Sequence, residues 1–171
     1  GLQIIDISDP VNPTVASSLF HNSPNSILEK PNEVSTALIN GKTYALVSYG
    51  DYFSDNGFSI FNISDPSNPV QTSTIKDGHG GFDKLAGTLE IEIANLDGVT
   101  YGFVAGGSDR VVEIINLTDP ADPTSAGTIE NLGSFPYEVE VQTINNSNYV
   151  FIASANKVEI VNIDNLSNPS L

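Results

Sequence analysis

Three glutamates stand at matching places in a repeated phrase: Glu33 in EVSTALINGKTYALVS, Glu90 in EIEIANLDGVTYGFVA and Glu138 in EVEVQTINNSNYVFIA. Two residues further on, the same column holds Ser35, Glu92 and Glu140. Carboxylates gathered in one place raise one another's pKa and can coordinate a cation such as Ca2+. The plainer alternative is a rim of solvated carboxylates that keeps an open channel wet. A second acidic candidate is Asp51-x-x-x-Asp55-Asn56-Gly57. Oxygen ligands followed by a glycine turn suit a hard cation, but the spacing is not that of an EF-hand, and Asp, Asn and Gly are ordinary turn formers. The two histidines are His21 and His79, the latter in the segment DGHGGFD that ends at Asp83. Asn62, Asn116, Asn145 and Asn165 each open an Asn-x-Ser/Thr tripeptide, the pattern of glycosylation acceptors, which an Asn- and Ser/Thr-rich chain also produces by chance. Catalytic signatures are sparse: there is no cysteine, no G-x-S-x-G, no H-E-x-x-H and no phosphate-binding glycine loop. A hydrolase or lyase would have to use Glu90 or Glu138 as base with His79 as partner.

What positions these residues is a repeat. One phrase occurs four times: LQIIDISDPVNP from Leu2, FSIFNISDPSNP from Phe58, VEIINLTDPADP from Val112 and VEIVNIDNLSNP from Val158. The offsets are 56, 54 and 46 residues (58−2, 112−58, 158−112), and the glutamate phrase precedes the last three copies. Self-similarity at such a period marks units that cannot bury their own faces and must stack on neighbours.

Each unit resolves into four strands. Glu90 to Asn95 and Val99 to Ala105 flank Asp97-Gly98, and Asn40-Gly41 has the same role in the preceding unit, so the first two strands form a tight hairpin. The third strand is apolar on both parities, as in Val112, Ile114 and Ile115, which requires cover on both faces. Asp-Pro-x-Asn-Pro then turns the chain into a fourth strand, expected over Thr14 to Leu19, Val70 to Ile75 and Thr124 to Ile129. Four antiparallel strands in sheets apolar on both sides describe β-propeller blades. A β-sandwich would alternate on one side only, and a parallel β-helix repeats at shorter intervals. The expected fold is therefore all-β: a single β-propeller segment over residues 1–171, a partial ring of about three and a half four-stranded antiparallel blades. Blade a (strands three and four) takes 1–19, blade b 33–76, blade c 89–130 and an incomplete blade d 137–171.

The phrase GLQIIDISDPVNP resembles the LVIVD repeat family, whose members carry a similar IVDISDPSNP signature. All four copies share the resemblance, although Asn165-Leu166 replaces Asp-Pro in the last. The resemblance implies a propeller found mostly in secreted or cell-surface proteins of microbes, and no shared catalytic residues.

Six Lys and Arg against 21 Asp and Glu give a formal charge of −15, which repels nucleic acid and anionic membranes. No run of apolar residues is long enough to span a bilayer, so membrane insertion is not expected. The first residue is Gly and the repeat starts in mid-unit, which reads as a piece of a longer or processed chain. Loop lengths vary only at the end of the sheets that carries the second-to-third strand loops and the blade connections. That end holds His21, Asp51, Asp55, His79 and Asp83, the residues expected to line a binding face. The sequence thus points to a non-enzymatic scaffold, secreted or at the cell surface. Its partner would be a protein, a glycan or the remaining blades of a larger ring, with Ca2+ as the one cofactor considered. The hydrolase or lyase is one alternative; a structural subunit of a surface layer or filament, pairing through open sheet edges, is the other.

Overall fold

The hairpin turns set the pattern. Asn40-Gly41, Asp97-Gly98 and Asn145-Asn146 all have both residues at positive φ (51° and 76°, 52° and 84°, 52° and 64°). This is the backbone that joins two strands with the twist a sheet requires. In the computed structural model, which describes residues 1–19, 30–50 and 55–170, thirteen strands follow one another without a helix. Blade a consists of β1 (Leu2–Asp6) and β2 (Thr14–Leu19). Blade b holds β3 (Pro31–Ile39), β4 (Lys42–Tyr49), β5 (Gly57–Asn62) and β6 (Val70–Lys76). Blade c holds β7 (Thr88–Leu96), β8 (Val99–Gly106), β9 (Val111–Asn116) and β10 (Thr124–Ile129). Blade d holds β11 (Pro136–Ile144), β12 (Ser147–Ser154) and β13 (Val158–Asn162), with a bridge from Asn162 to Ser170 where a fourth strand starts. Each sheet is an antiparallel meander in chain order.

The cores lie between sheets. One cluster joins Phe58 and Ile60 of blade b to Ile91, Ile115 and Leu117 of blade c. A second joins Val112 and Ile114 of blade c to Val139, Val161 and Ile163 of blade d. A smaller third joins Val47 and Phe61 of blade b to Leu2 and Leu19 of blade a. Alternate residues of one third strand therefore serve two different interfaces, which is why the segment is apolar on both parities. Burying each such side chain contributes roughly 1.5–3 kcal/mol. First strands run beside first strands, β3 against β7 and β7 against β11, as expected around an axis. The fold is a propeller arc, open on both sides.

The recurrent Asp/Asn-Ile/Leu-Ser/Thr triplet after the third strand closes this architecture. Ser8 donates N–H and hydroxyl to Asp6 Oδ1 at 2.8 and 2.6 Å, and Thr118 does the same to Asn116 at 2.8 and 2.6 Å. Ser64 N–H donates to Asn62 Oδ1 while Ser64 Oγ accepts the Thr43 N–H, each at 3.0 Å. The Asp-Pro turn repeats too, with Asp9, Asp65 and Asp119 accepting the N–H two residues on. Asn165 does this in the last copy at 3.3 Å, so the turn forms there without the Asp-Pro pair.

Candidate functional site at the loop-bearing mouth

Every described first strand carries a register shift near its glutamate, between Pro31 and Val34, Thr88 and Ile91, and Pro136 and Glu138. A bulge re-aims a side chain, and here it turns the carboxylate toward the next blade. Glu33 Oε2 accepts the Ile91 N–H at 2.8 Å, and Glu90 Oε2 accepts the Val139 N–H. The acid of one blade thus holds the backbone just after the acid of the next. Other side chains reinforce the first of these interfaces. Ser48 Oγ accepts from Glu33 N–H at 3.0 Å and donates to Leu89 O at 2.8 Å, while Asn32 donates to Thr88 O at 2.7 Å. Glu138, on the last blade, is exposed.

Burial in the seam sets the charge state of these acids. Glu90 is pushed from 4.5 up to about 8, mainly by burial, against the Val139 hydrogen bond and with smaller pushes from Glu33, Glu138 and Glu92. Glu33 is raised by burial, opposed by the Ile91 N–H and helped slightly by Glu138. Glu92 is raised by burial and then by Glu140. The carboxylates do act on one another, as their alignment implies, but dehydration between blades outweighs mutual repulsion. A carboxyl that keeps its proton near neutrality has the charge state of a general acid.

The loop residues fall into a separate group. His79 and Phe82 bridge a tight turn, with His79 Nδ1 2.9 Å from Asp77 O. Together with Ser73, Lys76 and Asp122 they line a groove of about 370 Å3 beside β6. Asp55 pairs with Lys76 at 2.8 Å, and this partner, through its hydrogen bond and charge, holds the carboxyl below its usual range. β6 is the outermost strand of blade b and β7 the innermost of blade c. The structure therefore brings Asp55, Lys76 and His79 together, while the groups that act on Glu90 are Val139 and the glutamates Glu33, Glu138 and Glu92. Asp83 is exposed on the same connection. Asp77 Oδ1 and Asp109 Oδ2 accept the Leu85 and Ala86 N–H groups at 2.9 and 3.0 Å, which shapes that loop. His21 and Asp51 lie outside the described residues. Among the described residues no group of three or more His, Asp or Glu side chains is placed to hold a metal ion.

Sequence reasoning missed Asn32 and Ser48, which do not recur at their matching repeat positions and which only the fold puts in the seam, and Asp109, whose hold on the Ala86 N–H leaves no mark in the sequence. It also missed Glu113, buried to 2% exposure in β9, where the Ser125 hydroxyl donates to it and burial raises its pKa. On the opposite, short-turn face, Asn62, Asn116 and Asn165 use their side-chain oxygens as turn acceptors, and Asn145 occupies the β11–β12 turn.

No curated protein matches the chain at a significant level. The family model described as the LVIVD repeat matches residues 1–19, 40–77 and 146–171. These stretches contain strands of blades a, b and d, and blade c repeats their architecture strand for strand. The chain carries matches to the LVIVD repeat in these three regions and folds as a β-propeller arc.

Proposed function

We propose that the chain is a non-enzymatic interaction scaffold of a secreted or cell-surface protein, which engages a protein or glycan through the loops of the mouth face. The observation that carries this reading is the asymmetry of the two ends of the sheets. One end is closed by near-identical hairpin and Asp-Pro turns, while the other carries connections of unlike length and composition around the groove of Lys76, His79 and Phe82. A rigid frame with variable loops on one side is how binding surfaces are commonly built. Glu33 and Glu90, the residues best placed for chemistry at the mouth, are engaged in holding neighbouring blades together. Ca2+ at Glu33, Glu90 and Glu138, or at Asp51 and Asp55, and glycans on the short-turn face are further elements of the proposal. The glycans would leave the mouth free.

A panel of glycans and extracellular proteins, immobilised and probed with the chain with and without Ca2+, tests this. Binding that His79→Ala or Lys76→Ala abolishes and that Asn146→Ala leaves intact supports the reading; binding lost only with Asn146→Ala contradicts it. The second reading, a hydrolase or lyase, is favoured by one observation, the raised Glu90. It requires turnover of a glycan or ester by the wild-type chain and none by Glu90→Gln.

A further inference from the structure

Asparagine precedes glycine at Asn40-Gly41 and at Asn56-Gly57, and the fold treats the two pairs differently. Asn40-Gly41 is the exposed β3–β4 turn, with both residues at positive φ and nothing within 4 Å of a Cβ placed on Gly41. Asn56-Gly57 is held in the sheet. Gly57 is buried at the start of β5, paired with Tyr49 on one side and Lys76 on the other, and a Cβ there would lie 2.0 Å from Ile75 O. The Asn56 carbonyl accepts the Asp77 N–H at 2.9 Å.

From this contrast we infer that Asn40 is a site of spontaneous modification, at which water replaces the side-chain amide and a tie between blades b and c is cut. Glycine after asparagine favours the reaction, because no Cβ shields the attacking backbone nitrogen or restricts its approach. The Gly41 nitrogen bonds to Asn40 Cγ, and the side-chain nitrogen leaves as ammonia, taking with it the hydrogen of the Gly41 N–H. Water then adds to one carbonyl of the cyclic imide and breaks a C–N bond. Breaking the bond at Cγ gives aspartate; breaking the one at the main-chain carbonyl gives isoaspartate. At Asn56 the same attack requires Gly57 to leave a ladder bonded on both sides, which is a local opening of the sheet.

The tie is the bond that the Asn40 amide donates to Thr118 O at 3.0 Å, which joins the hairpin of blade b to the turn after the third strand of blade c. A carboxylate has no hydrogen to donate and sets a negative charge against that carbonyl. The turn itself accepts aspartate, since Asp97 occupies the equivalent place in blade c at φ 52°. Isoaspartate adds a methylene to the main chain of a two-residue turn. Either product therefore loosens the seam on the short-turn face, away from the mouth.

Peptide mapping by mass spectrometry, in mildly alkaline water labelled with heavy oxygen, tests the inference on the folded chain and on the chain unfolded in urea. Unfolded, Asn40 and Asn56 should take up the label at comparable rates. Folded, Asn40 still converts, while Asn56 lags it by about ten-fold or more, the factor that an opening cost of about 1.4 kcal/mol supplies. Asn40→Asp should melt below the wild type at low and high salt alike, as the loss of a hydrogen bond rather than of a long-range charge interaction requires. Equal rates at the two sites in the folded chain overturn the inference. So does a folded Asn40 that stays intact over a period in which it converts in urea. An Asn40→Asp variant as stable as the wild type overturns the cut tie.

Discussion

Replacing Glu90 separates its hydrogen bond from its charge. Glu90→Gln keeps an oxygen for the Val139 N–H and removes the ionisation, whereas Glu90→Ala removes both. The folded carboxyl has its pKa raised from 4.5 to about 8, so the folded state holds the proton more tightly than the unfolded chain. Its contribution to stability is therefore fully present below about pH 4.5 and is lost as pH rises toward 8. At about 1.36 kcal/mol per pH unit between the two titrations, an undiluted effect would be about 3.4 kcal/mol at pH 7. Partial exposure to water at the mouth reduces it to about 1–2 kcal/mol. For a chain of this size that corresponds to a Tm change of roughly 2–8 °C. Glu90→Gln should accordingly raise Tm by that amount at pH 7.5 and leave it unchanged at pH 4. Glu90→Ala leaves the Val139 N–H buried without its acceptor and should cost about 1–3 kcal/mol at pH 4, where no charge is relieved. Scanning calorimetry across this range is the assay. Equal destabilisation by Gln and Ala at pH 7.5 would refute the reasoning, because it would mean that the ionised carboxylate is itself the favoured partner.

Two other substitutions probe the frame. Ser17 and Ser73 donate to the Pro66 and Pro120 carbonyls of the next blade at 2.6 and 2.7 Å, while the matching residue in blade c is Gly127. A Cβ at Gly127 would lie 2.0 Å from Leu166 O, so Gly127→Ser, which restores the repeat's own residue, should destabilise by about 1–3 kcal/mol in urea melts. At the third-strand turn, Asn62→Asp should be near neutral, since Asp6 accepts the matching serine N–H, whereas Asn62→Ala should cost about 1 kcal/mol in the same melts.

The strands and turns were legible because the repeat superimposes independent copies of each. Asn40-Gly41 and Asp97-Gly98 mark their hairpins, and the doubly apolar third strand forces stacking between sheets. The column of Glu33, Glu90 and Glu138 was visible as well, but what it faces was not. A bulge of one residue, which leaves no signal in a two-residue period, turns the Glu33 and Glu90 carboxylates into the neighbouring backbone. The sequons show the reverse difficulty. Asn62-Ile-Ser and Asn116-Leu-Thr have the pattern of glycan acceptors, yet Asp6-Ile-Ser makes the same turn where no glycan can attach. Gly127 looks like a lost serine until the Leu166 carbonyl is placed against it. The pairing of Glu90 with His79 rested on closeness in sequence, whereas Glu90 stands on the first strand of blade c and His79 in the connection that follows β6.

The most direct test of stacked blades is methyl-resolved NMR of the labelled chain. The account requires NOEs from Ile114 to Val161 and Ile163, and from Ile60 to Ile115 and Leu117. It also requires slow hydrogen exchange at the Ile91 and Val139 amides held by Glu33 and Glu90. Third-strand methyl groups that instead met across a single shared interior, or rapid exchange at both amides, would contradict it.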